Sequence, residues 1–180
     1  MAGKSLHIND PMPGLGNLPG TDGNQYSTKS FADRKILVII FSCNHCPYVQ
    51  AYEDRMIALQ GQYSKKGVQL VAINSNETQN YPEDNFDEMV KRAKQRGFNF
   101  PYLRDENQSV AEAFGATHTP QFFVFDEKRM LRYSGKMDDN WKDSAAVKEP
   151  YLRDAVDALL AGKEVKTPET FSIGCTIKWK

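Results

Sequence analysis

The sequence predicts an α/β fold, a central mixed sheet flanked by helices, on three observations. Two apolar, β-branched runs of buried-strand length, residues 36–41 and 68–73, are separated by a stripe of helical period. Two further strands, 121–125 and 130–134, flank the turn 126–129 as a hairpin would. The order strand, helix, strand, helix, hairpin, closing helix implies parallel pairing in the first half and antiparallel pairing in the second. A single domain accounts for 180 residues with 40% hydrophobic content.

Residues 1–24 form an N-terminal extension whose Pro and Gly content (Pro11, Pro13, Gly14, Gly16, Pro19, Gly20, Gly23) predicts turns. Gly14-x-Gly16 follows no strand, so it is not read as a dinucleotide site. Residues 36–41 are apolar throughout and belong in the middle of the sheet. Val49, Tyr52, Met56, Leu59 and Tyr63 recur at helical spacing, with Pro47 in the first turn, where a missing amide costs little. Gly67 precedes the second core strand. Pro82 is expected to open another helix, acidic early and basic late, that stops at Gly97. Phe86, Met89, Val90 and Ala93 supply its inward face. A short helix over 107–114 ends at Gly115, and a last one over 150–161 buries Leu152, Val156, Leu159 and Leu160 and stops at Gly162. In the tail, 163–180, Phe171, Ile173, Cys175, Ile177 and Trp179 alternate with small or polar residues, the period of a docked strand.

Twenty-three Lys and Arg balance twenty-three Asp and Glu, so no net field recruits nucleic acid, an acidic substrate or an anionic membrane. No segment has the length and apolarity of a signal peptide or a membrane span, which makes the cytoplasm the expected location. Thiols are kept reduced there. Three cysteines are therefore not a disulfide scaffold, and a Cys-x-x-Cys is catalytic or metal-binding. Zinc needs four ligands, and neither a second Cys-x-x-Cys nor a His-x-x-x-His exists, so no metal and no cofactor are expected.

Cys43-Asn44-His45-Cys46 follows the first core strand directly and opens a helix. Such a pair can close a disulfide on demand, and the helix terminus favours a thiolate. Cys43 is expected at or just before that terminus as the nucleophile, with Cys46 one turn in and more buried. Attack by Cys43 would give a mixed disulfide that Cys46 displaces. His45 is the expected thiolate-tuning residue, acting on Cys43.

With Thr119-Pro120 just before the strand 121–125, the Cys-x-x-Cys gives the chain a resemblance to the thioredoxin superfamily over residues 25–162. The resemblance implies a cis bond at Pro120 facing the cysteines, sulfurs side by side in a solvent-reachable notch, and a substrate groove at Thr119 and Pro120. Phe41 to Pro47 and Gly174 to Trp179 more closely resemble the peroxiredoxin-like redoxins related to alkyl hydroperoxide reductases. Two departures stand out. The threonine and arginine of a peroxidase are missing from their places, leaving Arg104 as the candidate cation, and Leu37 or Ile39 stands where thioredoxin carries a buried aspartate. The expected function is thiol-disulfide oxidoreduction with a protein or small-molecule disulfide or dithiol and an external dithiol reductant. The alternatives are a peroxide-reducing antioxidant and a binding module without catalysis. His45 would make the couple more oxidising than thioredoxin's. His118 is a loop residue that could face the cysteines, and Cys175 is either a packed thiol or a resolving or regulatory cysteine carried in by the tail. Two glycosylation sequons, at Asn76 and Asn107, are read as chance matches.

Overall fold

The computed structural model describes residues 5–180. In chain order the strands are β1 (Leu18–Pro19), β2 (Gln25–Tyr26), β3 (Ile36–Phe41), β4 (Val68–Asn74), β5 (Tyr102–Arg104), β6 (His118–Thr119), β7 (Gln121–Phe125), β8 (Leu131–Gly135) and β9 (Cys175–Thr176). The helices are α1 (Pro47–Tyr63), α2 (Phe86–Arg96), α3 (Ser109–Phe114) and α4 (Tyr151–Leu160).

β3 has no polar residue because both of its faces are covered. Successive side chains on a strand point to opposite faces, and here the two sets enter two cores. Ile36, Val38 and Ile40 pack with Tyr52, Met56 and Leu59 of α1, Met89 of α2 and Leu152 and Val156 of α4. Leu37, Ile39 and Phe41 pack with Val110 and Phe114 of α3 and with Leu15, Leu18 and Phe31 of the N-terminal part. The five main strands are ordered β5-β4-β3-β7-β8. β4 runs parallel to β3 and β5, while β7 is antiparallel to β3 and β8. The expected mixed sheet flanked by helices is thus the fold of the chain.

Several local expectations are corrected. β5 was not foreseen, because three residues show no period. Pro82 opens only a short 3-10 turn, Pro82–Asp84. α2 begins after it because Asn85 caps it, accepting the Glu88 amide at 2.9 Å. This break turns Asp84 inward, where it is fully buried. The third helix starts at Ser109, since Gln108 adopts a left-handed φ of 63°. The tail docks, but only Cys175 and Thr176 pair as a strand. Of its alternating apolar residues Ile177 is buried, whereas Phe171, Ile173 and Trp179 are exposed.

Candidate active site

The site lies beyond the carboxyl ends of the parallel strands, the end of an open α/β sheet where ligands gather. β3 runs out at Phe41, and the turn from Ser42 to Cys46 leads into α1. Asn44 fixes this turn. Its amide donates to Asp84 Oδ1 at 2.7 Å, its side chain donates to the Glu83 carbonyl at 2.8 Å, and its Oδ1 accepts from the Tyr102 hydroxyl at 2.8 Å. The buried Asp84 carboxylate also receives the side-chain amides of Asn74 at 3.2 Å and Asn76 at 2.9 Å. Hydrogen bonds to a charged group contribute about 1.5–3 kcal/mol each. The turn therefore rests on a stiff polar base supplied by the end of β4 and the turn after it.

Cys46, not Cys43, occupies the N-cap of α1, and Pro47 is its first residue. Proline favours that first position because its missing N–H would have had no partner there. Pro47 was thus the sequence signal that marks Cys46 as the cap. Cys46 Sγ stands 3.3 Å from the Thr119 carbonyl oxygen, and Cys43 Sγ stands 3.4 Å from Thr119 Oγ1. One residue touches both sulfurs. The peptide bond from Thr119 to Pro120 is cis, as the resemblance implied.

The two thiols ionise in opposite senses. A hydrogen bond from Cys43 holds the Cys46 thiol well below its ordinary value against the opposing effect of burial, and Cys175 and the Val49 and Cys175 amides add to the lowering. Cys43 is pushed up, first by that same bond with Cys46, then by burial and the negative charge of Asp84. As a thiol Cys46 can donate to Thr119; once ionised it has Cys43 and Cys175 as donors. The helix terminus acts on the residue that caps it, which favours a thiolate at Cys46, whereas the sequence reading expects it at Cys43.

His45 faces the acidic turn that contains Glu83 and Asp84. Its Nε2 lies 3.2 Å from Glu83 Oε1 and its Nδ1 3.4 Å from Asp84 Oδ2, because the clamped Asn44 turns the next side chain toward the acidic 3-10 turn. His118 is held by Thr117, with Nδ1 2.7 Å from that hydroxyl. Arg104 is buried, bound to Glu106 Oε2 at 2.8 Å and to the Asn74 carbonyl at 3.2 Å. The notch is not open to solvent. Cys43 is 3% and Cys46 2% exposed, because β9 pairs antiparallel with β6 in the place foreseen as the substrate groove. This brings Cys175 Sγ to 3.0 Å from Cys46 Sγ. No role at the site was expected for Asn44, Asn74, Asn76, Asp84 or Gly174. The first three could have been suspected from amides gathered in the Cys-x-x-Cys turn and at the end of a core strand.

The Redoxin family model matches residues 7–150. A thiol-disulfide oxidoreductase, ResA, from Halalkalibacterium halodurans is 30% identical over 83 residues, 46% of this chain and 43% of that protein. The chain thus matches less than half the length of this curated relative. A hypothetical protein of Sinorhizobium meliloti 1021 superposes with a TM-score of 0.91 at 39% identity, covering 98% of this chain and 97% of that one. A thiol:disulfide interchange protein of the thioredoxin family from Chlorobium tepidum TLS reaches a TM-score of 0.66 at 18% identity, covering 87% and 99%, which shows a shared fold. With a thioredoxin-like sheet, a Cys-x-x-Cys at the head of α1 and a family match over most of its length, the chain belongs to the Redoxin family.

Proposed function

We propose that this protein is a thiol-disulfide oxidoreductase that works by dithiol-disulfide exchange at Cys43 and Cys46. The observation that carries the reading is the geometry of a Cys-x-x-Cys at the head of α1 whose two sulfurs both meet Thr119, the residue before the cis proline. The Cys46 thiolate attacks a substrate disulfide, forming a mixed disulfide and releasing one substrate sulfur as thiolate. Cys43 then loses its proton and attacks the Cys46 sulfur, giving the Cys43–Cys46 disulfide and the second substrate thiol. Relative to the sequence reading, the two cysteines exchange roles. An external dithiol would return the pair to the reduced state, and the cytoplasm is the setting in which such dithiols are supplied.

Peroxide reduction is the second reading. An ionised Cys46 with another thiol 3.0 Å away favours it, but Arg104, the candidate cation, is engaged by Glu106 and Asn74. The test measures Cys43→Ala and Cys46→Ala against a disulfide-bonded protein such as insulin and against hydrogen peroxide. Cys46→Ala is expected to abolish exchange with the protein disulfide, and Cys43→Ala to stop turnover at the mixed disulfide. Loss of peroxide consumption alone would move the assignment to a peroxidase. Partner binding that survives loss of both thiols, with no turnover, would make the chain a binding module.

A further inference from the structure

The groove beside Thr119 is filled by the chain's own tail. β9 adds to β6 with Thr119 opposite Cys175 and His118 opposite Thr176, so the third cysteine reaches the site by main-chain pairing. An extended peptide captured by a sheet edge is held in this way, its backbone giving affinity and its side chains giving register. Gly174 sets the register. A Cβ on it would stand 2.1 Å from the Thr119 carbonyl oxygen and 2.7 Å from the carbonyl carbon, so no side chain fits there. One residue later, the Cys175 sulfur arrives 3.0 Å from Cys46.

The strap is pinned on both sides of this contact. Upstream, the Thr170 amide donates to the Ser134 carbonyl at 3.1 Å, and Thr170 Oγ1 accepts the Lys136 amide at 3.0 Å. Downstream, Ile177 is buried and its amide donates to the Thr117 carbonyl at 2.9 Å. The Lys178 amide donates to Asn76 Oδ1 at 2.9 Å, and its carbonyl accepts from the Glu77 amide and Gln108 Nε2, each at 2.8 Å. Between the pins, Phe171 is 92% exposed.

We propose that the tail is an internal substrate of the dithiol site and that Cys175 forms a disulfide with Cys46. The step rests on the exchange chemistry proposed above and needs no further oxidant. In the Cys43–Cys46 disulfide state, Cys175 gives up its proton and attacks the Cys46 sulfur. The Cys46–Cys175 bond forms, the Cys43–Cys46 bond breaks, and Cys43 leaves as thiolate and takes up the proton. A disulfide bond measures about 2.05 Å, so the sulfurs need to close by roughly 1 Å. Cys46 is the central sulfur, shared between Cys43 on one side and the strap on the other. The external substrate this implies is an extended polypeptide cysteine with a small residue before it. Such a segment takes over the pairing with His118 and Thr119 that β9 holds.

The experiment equilibrates the full chain in glutathione redox buffers, alkylates the remaining thiols and maps tryptic peptides without reduction. Cys43 and Cys46 fall in the peptide 36–55 and Cys175 in 167–178. Expected is a 36–55 to 167–178 link in the wild type and in Cys43→Ser, and its absence in Cys46→Ser. Gly174→Val is expected to lower the linked fraction at least ten-fold while the Cys43–Cys46 disulfide still forms. A wild type that shows the Cys43–Cys46 disulfide at every glutathione ratio but never the tail link overturns the internal-substrate proposal and leaves the oxidoreductase reading standing. A wild type with no internal disulfide at all overturns both.

Discussion

The two sides that enclose the cysteine pair are built differently. On one side, Asn44, Asn74, Asn76, Tyr102 and Asp84 form a buried polar base in which one carboxylate collects three donors. On the other, the cover is a two-residue strand and a glycine, with exposed apolar residues upstream. Breaking the first side strands buried polar groups, each costing about 1–3 kcal/mol. Lifting the second returns backbone groups and a few side chains to water. The base is made to stay and the cover to be exchanged, as a site needs when its sulfurs must hold their geometry and still meet another molecule.

The largest expected effect tests the cover. Ile177→Ala removes a buried side chain, a change that costs about 2–5 kcal/mol in a core. If the strap opens independently, the loss falls on local amide protection at Cys175 and Ile177 and on faster alkylation of Cys46, while the global urea midpoint barely moves. A matching fall in global stability would show that cover and base unfold together.

Asp84→Asn tests the base. It is expected to lower global stability by about 1–3 kcal/mol, read by urea denaturation, because it replaces an acceptor of several buried donors. It should also let Cys43 ionise more readily, since the Asp84 charge is one of the causes that raise that thiol.

The pH profile comes next. Because Cys46 is lowered, its alkylation rate should fall only as pH drops through a midpoint below the ordinary thiol value of about 8.5. Cys43→Ala removes the main donor to the Cys46 thiolate, so the midpoint should move up. An unchanged midpoint would put the control in the helix terminus and Cys175 instead.

The smallest effect is expected for His45→Ala. Its ring pairs with Glu83 and Asp84 at a half-exposed position, where such pairs contribute about 0–1 kcal/mol. The Cys46 midpoint should stay in place. A shift as large as that of Cys43→Ala would restore the role the sequence suggested.

The legible part of the site was local. Cys43 and Cys46 stood out because their spacing and the preceding apolar strand are properties of one short stretch, and Pro47 carried the capping signal for Cys46 in the same stretch. The direction of the His45 ring was not legible, because adjacency in sequence says nothing about where a ring points once its neighbour Asn44 is clamped. Asp84 was invisible because one acid among Glu83, Asp87 and Glu88 after Pro82 looks like part of a helix's first turn, and only the break at the Asn85 cap turns it inward.

By itself, the sequence determined the mixed sheet, its parallel and antiparallel halves and the cysteine pair at the head of α1. Apolar period, turn residues and cysteine spacing act over a few residues and survive without a partner. Tertiary structure alone decided what base the turn rests on and what covers the two sulfurs. Cys175 meets Cys46 across 129 positions of chain. The alternation of the tail announced a docked strand, but its partner and register are set by pairing with β6 and by a glycine pressed against a distant carbonyl, which local sequence does not specify.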